Sequence, residues 1–322
     1  MRLVAAPSAI AQRPWPRWPA GWSVVARSSE LGRQAVRTVS FAGREVVLFR
    51  AEDGHVHAVD AFCPHMGAHL RHGAVEGSSL RCALHHRLVD GAGACEGRAA
   101  RGPAYTANER FGLIFVARAG FDRPLPDVVD RERFEFTTAP PVEVDVPWSN
   151  FVLNGFDLPH LEAVHHRSLR APAKIIRDGH CMRLEYETRV TGRGLSDLTM
   201  KWLSGDHLRA RMSCFGTVGV VEADLGWTRS VLICGVTPRT ETQGDAPWPT
   251  GRSRAWCSFG VPADAFGRRV RAWLTRWLYL AFLRRDFAVL EQQRLSLENV
   301  DDESTLAVAD FLTSLEDWTR DE

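Results

Sequence analysis

The chain has 322 residues, of which 45% are hydrophobic and 25% are charged, and its formal net charge is +1. This length allows two domains, and the balanced composition excludes a disordered chain and gives no reason to expect a nucleic-acid partner. No apolar run approaches the roughly 20 residues that a membrane-spanning helix needs, and seven cysteines are too few, and odd in number, for a disulfide framework. We therefore expect a globular cytoplasmic protein without a transmembrane segment.

Residues 1–21 are predicted to be an N-terminal arm, because proline and serine break the apolar stretch that a secretory signal would need. Residues 22–125 have the pattern of a small all-β domain. The segment "REVVLFRAEDGHVHAVDAFC" alternates apolar and polar residues around Asp53-Gly54, which predicts a hairpin. The proline-rich segment "DRPLPDVVD" (122–130) predicts a domain boundary near residue 125.

The segment "CPHMGAHLRHGAVEGSSLRCALHH" (63–86) carries one cysteine–histidine pair on each of two arms. Cys63 and His65 form the first pair, and Cys82 and His85 the second. A zinc site is the first alternative, but such sites usually place two cysteines on one arm and two histidines on the other. A two-iron, two-sulfur cluster of the Rieske type instead takes one thiolate and one imidazole from each of two loops. The C-x-x-H spacing selects His85 over the adjacent His86.

Residues 126–322 are predicted to form a second domain of antiparallel strands with a long helix near the C-terminus, which makes the chain α+β. Near its start, "NFVLNGFDLPHLEAVHHR" (150–167) carries Asp157, His160 and His165. Two imidazoles and one carboxylate with open positions are the facial triad of non-haem Fe(II) oxygenases. Five residues on a regular helix turn His165 by roughly 140° from His160, so both can bind one metal only if the helix is widened there or begins at Pro159.

The third ligand must be a distant carboxylate, and the C-terminal helix offers Asp286. This residue lies on an apolar stripe with Phe282 and Leu290 and has no basic residue three or four positions away. An unpaired carboxylate is unfavourable among apolar residues unless something binds it. Glu291 is the competitor, and Arg294 gives it an ordinary surface explanation.

The start of that helix has six apolar residues at helical spacing, and they are Val270, Trp273, Leu274, Trp277, Leu278 and Ala281. Packing against the core is the favoured interpretation of this stripe. Alternatively, the stripe guards the entrance of a pocket for a bulky apolar molecule or touches a membrane surface.

With these motifs in order, the chain resembles the oxygenase (α) components of Rieske non-haem iron oxygenases. The matching segments are "CPHMGAHL", "CALHH", the N-x-x-D-x-x-H-x4-H run from Asn154 to His165, and "RRDFAVLEQQ". These segments most resemble the sequences of ketosteroid hydroxylases, sterol desaturases and aminopyrrolnitrin-forming enzymes. Ala83 and His86-Arg87 depart from the proline and Gly-Trp that this family often has around its second cluster loop.

The resemblance implies a helix-grip catalytic domain after the Rieske domain and a homotrimer in which the cluster of one subunit reduces the mononuclear iron of its neighbour. It further implies that Asp157 bridges the neighbour's His85 and this subunit's His160, and that Asn154 lies near the iron without binding it strongly.

The function expected from these features is a monooxygenase. It would take electrons from NAD(P)H through a separate reductase, with or without a ferredoxin, and oxidise a bulky hydrophobic or heteroaromatic molecule with O2. Desaturation, N-oxygenation or oxidative cyclisation are alternative outcomes of the same chemistry. A Rieske electron carrier is the alternative from another class, against which the length of the chain beyond residue 125 argues.

Overall fold

A computed structural model describes residues 7–99, 103–239 and 251–319. The described residues fall into two compact units. The smaller unit runs from Gly21 to Pro124, and the larger one joins the N-terminal residues up to Ala20 to the chain from Leu125 onward. No helix among the described residues is both long and apolar enough to cross a membrane.

The smaller unit is built from three antiparallel sheets of three strands each, with the orders β1-β9-β8, β2-β3-β4 and β5-β6-β7. Its strands are β1 (Ser23–Arg27), β2 (Val36–Phe41), β3 (Arg44–Arg50), β4 (Val56–Asp60), β5 (Ala74–Glu76), β6 (Ser79–Arg81), β7 (Leu88–Val89), β8 (Tyr105–Arg110) and β9 (Leu113–Arg118). The predicted hairpin at Asp53-Gly54 is confirmed between β3 and β4. Buried residues of β3, β4 and β6 form one core cluster that also contains the Cys63 and Cys82 side chains.

The larger unit is built on a nine-stranded antiparallel sheet with the order β10-β18-β17-β16-β15-β14-β12, in which β11 pairs with β18 and β13 with β14. Its strands are β10 (Phe134–Thr138), β11 (Val142–Val144), β12 (Arg167–Leu169), β13 (Lys174–Asp178), β14 (Cys181–Val190), β15 (His207–Cys214), β16 (Val218–Asp224), β17 (Arg229–Pro238) and β18 (Ser253–Pro262). The α+β prediction is confirmed.

The helices of the larger unit are α1 (Pro7–Ala11), α2 (Trp148–Phe156), α3 (Leu158–Ala163), α4 (Leu195–Ser204), α5 (Arg268–Leu290) and α6 (Glu303–Thr313). Side chains of α2, α5 and α6 pack with those of β14, β17 and β18 in the main core cluster, where Phe156 and Phe259 are fully buried. The arm is tied to α6 by an ion pair between Arg13 and Asp310, 2.6 Å apart.

The prediction that the whole apolar stripe of α5 packs against the core is wrong for the first turns of the helix. Val270 and Trp273 are 67% and 66% exposed, whereas Leu278, Leu283 and Leu290 are buried. With 23 residues, α5 is about 35 Å long at a rise of 1.5 Å per residue. Helical periodicity shows which residues share a face, but it does not show where along the helix the covering surface ends.

Candidate active site

The two predicted cluster loops have the same backbone hydrogen bonds. In the first loop, the amide of Cys63 donates to the carbonyl of Ala68 and the amide of Gly67 donates to the carbonyl of Cys63, both at 2.9 Å. In the second loop, the amide of Cys82 donates to the carbonyl of Arg87 at 2.9 Å, and that of His86 donates to the carbonyl of Cys82 at 3.0 Å.

Each of these loops is thus closed by the residue four positions after the cysteine, and that residue has a positive φ. It is Gly67 with φ +77° in the first loop and His86 with φ +57° in the second. Glycine adopts this left-handed conformation without strain, whereas histidine does so rarely. His86 therefore closes a loop, and His85 is left to face the first loop, with its ring centroid 4.8 Å from that of His65.

The two thiols lie inside the loops and the two imidazoles lie outside. Cys63 and Cys82 are fully buried, whereas His85 is exposed and His65 is partly exposed. Burial, with the neighbouring Cys82 thiol, raises the pKa of the Cys63 thiol above its ordinary value. A thiolate at Cys63 therefore needs a bound cation to stabilise it.

A single tetrahedral zinc ion does not fit the spread of these four residues. Bonds of about 2.1–2.3 Å to zinc would bring all the ligand atoms within about 4 Å of one another. Among the described residues, one group of three metal-binding side chains has all its ligand atoms within 4.8 Å, and it consists of His160, His165 and Asp286. The four loop residues do not form such a group. The donor set, two thiolates and two imidazoles divided between two loops, is the one that a two-iron, two-sulfur Rieske cluster takes.

The chain between α2 and α3 resolves the predicted conflict between His160 and His165. The helix breaks at Asp157, whose carboxylate accepts a hydrogen bond from the amide of His160 at 3.0 Å and so begins α3. Pro159 occupies the first turn of α3, which ends at Ala163. Because His165 lies beyond the end of the helix, its ring is free to turn back beside that of His160.

His160, His165 and Asp286 converge on one buried point. The two Nε2 atoms are 3.0 Å apart, and each lies 2.7 Å from Oδ1 of Asp286. Three ligands at adjacent corners of an octahedron, with bonds of about 2.1 Å, would be about 3.0 Å apart. The residues therefore fit one metal ion bound on one face. Asn154 donates from Nδ2 to Oδ1 of Asp286 at 2.9 Å.

The protonation states of these side chains suit a metal. Burial raises the pKa of Asp286, but hydrogen bonds from His160 and His165 outweigh it and hold that pKa below its ordinary value. Burial lowers the pKa of His165, despite the adjacent carboxylate. At neutral pH the site therefore presents a carboxylate and a neutral imidazole, the forms that bind a divalent cation.

Comparison with known proteins identifies the domain that carries the two cysteine–histidine loops. Residues 21–110 match the Rieske [2Fe-2S] domain family. Cholesterol 7-desaturase from Bombyx mori is 33% identical over 167 residues, which are 48% of this chain and 37% of that protein. The 4beta-methylsterol monooxygenase of Methylococcus capsulatus (strain Bath) is 30% identical over 202 residues, or 56% and 54% of the two chains. The chain thus spans between about a third and a half of the length of these relatives.

The fold extends this likeness beyond the cluster domain. The structure of Pseudomonas putida CBB5 NdmA with caffeine superposes with a TM-score of 0.65 and 18% identity, covering 90% of this chain and 88% of that one. The chain therefore contains a Rieske [2Fe-2S] domain and shares the fold of NdmA along most of its length. The predicted fold class, a Rieske β-domain combined with a sheet-rich α+β part, is confirmed.

The three candidate iron ligands border a cavity of about 180 Å³. Its wall is mostly apolar and comes from α2, α4, α5 and the inner face of the sheet. Asn154 also lines the cavity, whereas Asp157 is not among the lining residues. Phe282 on α5 stacks flat on the ring of His165, with centroids 3.4 Å apart, and so fixes the plane of that ring.

A buried ion-pair network lies behind His165, and the sequence analysis missed it. Arg167 donates from Nη1 to Oδ1 of Asp197 at 3.0 Å and to the backbone carbonyl of His165 at 2.9 Å. Arg285, which precedes Asp286, donates from Nη2 to Oδ2 of Asp197 at 3.2 Å. The one signal available was Asp197 in the first turn of a helix. Because the chain has many arginines, the sequence did not single out Arg167 and Arg285 as the partners of Asp197.

Proposed function

We propose that this chain is the terminal oxygenase of an electron-transfer system, and that it uses O2 to oxidise a bulky, mostly apolar small molecule, with monooxygenation as the main outcome. The observation that carries the proposal is the presence of both sites in one chain: two cysteine–histidine loops of Rieske type and a buried His160–His165–Asp286 group that borders an apolar cavity. An electron carrier would need only the first of these sites.

In this proposal Cys63, His65, Cys82 and His85 hold the [2Fe-2S] cluster, and His160, His165 and Asp286 hold Fe(II). When bound, the iron supplies the place where O2 is activated next to the substrate. The protein keeps His165 neutral and Asp286 ionised, fixes the His165 ring by stacking, and excludes water with the apolar wall. Asn154 orients Asp286 through its hydrogen bond.

Electrons are proposed to come from NAD(P)H through a separate reductase, with or without a ferredoxin. A homotrimer in the cytoplasm is proposed as the working form. In it, Asp157 would bridge His160 of its own subunit and His85 of a neighbouring one. Asp157 already accepts a hydrogen bond from the His160 backbone. Through Asp157, a small movement of His160 would therefore displace the contact with the neighbouring subunit, and a movement of that subunit would displace His160.

The substrate class is proposed from the cavity and from the relatives. Two matched relatives carry sterol names, and one superposed structure contains caffeine. An apolar wall interrupted by a few hydroxyl groups, such as those of Tyr186 and Thr188, suits a ring system with one or two polar substituents. Desaturation is the second candidate outcome, because one matched relative is named as a desaturase.

The test is substrate-dependent O2 consumption. Iron-loaded protein would be given NAD(P)H, a reductase–ferredoxin pair and a panel of sterols, steroids and heteroaromatic compounds. We expect O2 uptake coupled to one product, with isotopically labelled oxygen in a hydroxylated product and none in a desaturated one. His160→Ala should retain the EPR signal of the reduced cluster and lose the coupled uptake. The electron carrier would be supported instead if the cluster were reduced normally, no substrate gave O2 uptake, and His160→Ala passed electrons to an acceptor as fast as the wild type.

A further inference from the structure

Helices α4 and α5 lie side by side in opposite directions over the cavity. Near the C-terminal end of α5, Arg285 donates to the hydroxyl of Ser196, in the first turn of α4, at 3.2 Å. At the other end, Leu274 of α5 and Leu203 of α4 pack on the same small apolar cluster. The inner sides of both helices line the cavity, with Met200 from α4 among the lining residues.

The outer sides of these two helices are apolar and exposed. We define this outer face by six residues that are all exposed: Leu195, Leu198, Trp202, Phe266, Val270 and Trp273. In α4 they recur at i, i+3 and i+7, so they form one helical stripe. In α5, Val270 and Trp273 are three residues apart and share one side of the helix. Phe266 lies just before Gly267, the N-cap residue of α5. Trp202 is 83% exposed. Single exposed apolar residues are ordinary, but five on two adjacent helices, with a sixth just before one of them, mark a binding surface.

The charges beside this outer face are mostly cationic, with the exposed Asp264, two residues before Phe266, as an exception. Each helix contains a single acid, Asp197 in α4 and Asp286 in α5, and both are buried. Within the described part of the chain, no ion pair or hydrogen bond is recorded for the side chains of Arg269 and Arg276, and Arg269 is exposed. This local excess stands out in a chain whose formal net charge is only +1.

We propose that the outer face docks on an anionic lipid surface. Exposed tryptophans and leucines beside arginines, on helices that lie in the plane of the surface, are the composition of an interfacial membrane anchor. No described helix is long and apolar enough to span a bilayer, so this contact would be peripheral. A twofold contact with a second copy through this face is unfavourable, because it would bring like-charged arginines together. A contact within the proposed homotrimer would use a different face of the neighbour, and the test below distinguishes it by the oligomer mass.

Docking would place the cavity directly under the lipid surface. The apolar substrate, which rests on the proposed function, could then pass between α4 and α5 without crossing water. The docking itself does not depend on turnover, so lipid binding and oxygenase activity can fail independently of each other.

The experiment is vesicle flotation of the cluster-containing protein, with phosphatidylcholine vesicles alone or with added phosphatidylglycerol. We expect binding to the anionic vesicles and at least about ten-fold weaker binding to the neutral ones. Arg269→Gln with Arg276→Gln should weaken anionic binding about twenty-five-fold, or about five-fold for each arginine. Trp202→Ser with Trp273→Ser should weaken it at least about ten-fold.

The matched control is Val129→Ser with Val142→Ser, which removes two exposed apolar side chains elsewhere in the same unit and should bind like the wild type. If the tryptophan variant fails to fold, the arginine variant decides alone. Equal binding of the wild type to both vesicles, no binding, or no effect of either variant would overturn the proposal. So would a tryptophan variant that changes the oligomer mass, or that loses reduction by the electron donor while it still floats, because the face would then bind a protein.

Discussion

Asp197→Ala tests whether the buried ion-pair network holds the iron ligands in place. The substitution removes the carboxylate that joins Arg167 to Arg285 and leaves the Arg167 guanidinium, whose side chain is 8% exposed, without a counter-charge. Removing one partner of a buried pair destabilises a protein by about 3–5 kcal/mol. The lower end applies here because Arg285 is partly exposed and can turn toward solvent.

A loss of about 3 kcal/mol lowers the melting temperature of a unit of this size by about 6–12 °C. The second effect is on the metal. Arg167 holds the backbone carbonyl of His165, so a displaced Arg167 moves a ligand. Loss of such a supporting contact weakens metal binding about 10–100-fold. We therefore expect both a lower melting temperature and weaker Fe(II) binding.

The assay pairs calorimetry with anaerobic Fe(II) titration, and Asp310→Ala is the matched control. Asp310 also joins two arginines, Arg13 and Arg177, each at 2.6 Å, but all three side chains are more exposed than Asp197 and Arg167. Its ion pairs are with Arg13 and Arg177, not with an iron ligand. The control should lower the melting temperature less and leave Fe(II) binding unchanged. Equal Fe(II) affinities in both variants would show that the Asp197 network only stabilises the fold, and an unchanged melting temperature in Asp197→Ala would refute the energetic reasoning.

Three further predictions concern the two metal sites. Cys82→Ser should abolish the visible absorption of the cluster, while the iron bound by the larger unit, measured by metal analysis, remains. Asn154→Ala removes the hydrogen bond to Asp286; it should lower the rate of turnover more than the Fe(II) content, and a loss of both in parallel would contradict an orienting role. The metal-free larger unit should lose stability as the pH falls below about 6.5, the ordinary pKa of histidine, because the pKa of His165 is lowered in the folded state and the unfolded chain therefore takes up the proton first. Thermal melts between neutral and acidic pH should show this loss in the wild type and a smaller one in His165→Gln.

The loops of the Rieske domain could be predicted from the sequence because their chemistry is local. Two cysteine–histidine pairs at characteristic spacing specify a ligand set without any knowledge of the fold. The second pair needed the structure for one detail. The left-handed backbone of His86 matches that of Gly67 and shows which of two adjacent histidines closes the loop.

The candidate iron site could be predicted only in part. Asp286 was identified because a carboxylate on an apolar stripe needs a partner, and its buried contact with both histidines agrees with that reasoning. The break of the helix at Asp157 was one of two possibilities, since periodicity alone does not distinguish a widened helix from an interrupted one. Arg167 and Asp197 are 30 residues apart, and no local pattern joins them.

The sequence by itself determined the kinds of ligand and their order along the chain, since residue type and spacing decide which metal chemistry is available. The tertiary structure alone decided which residues meet. It brought α5 back over the sheet so that Asp286 reaches two histidines more than 120 residues away, and it left the first turns of the same helix uncovered. Burial and exposure depend on what the rest of the chain packs against each face of a helix. The residue pattern of that helix alone does not specify those packing partners.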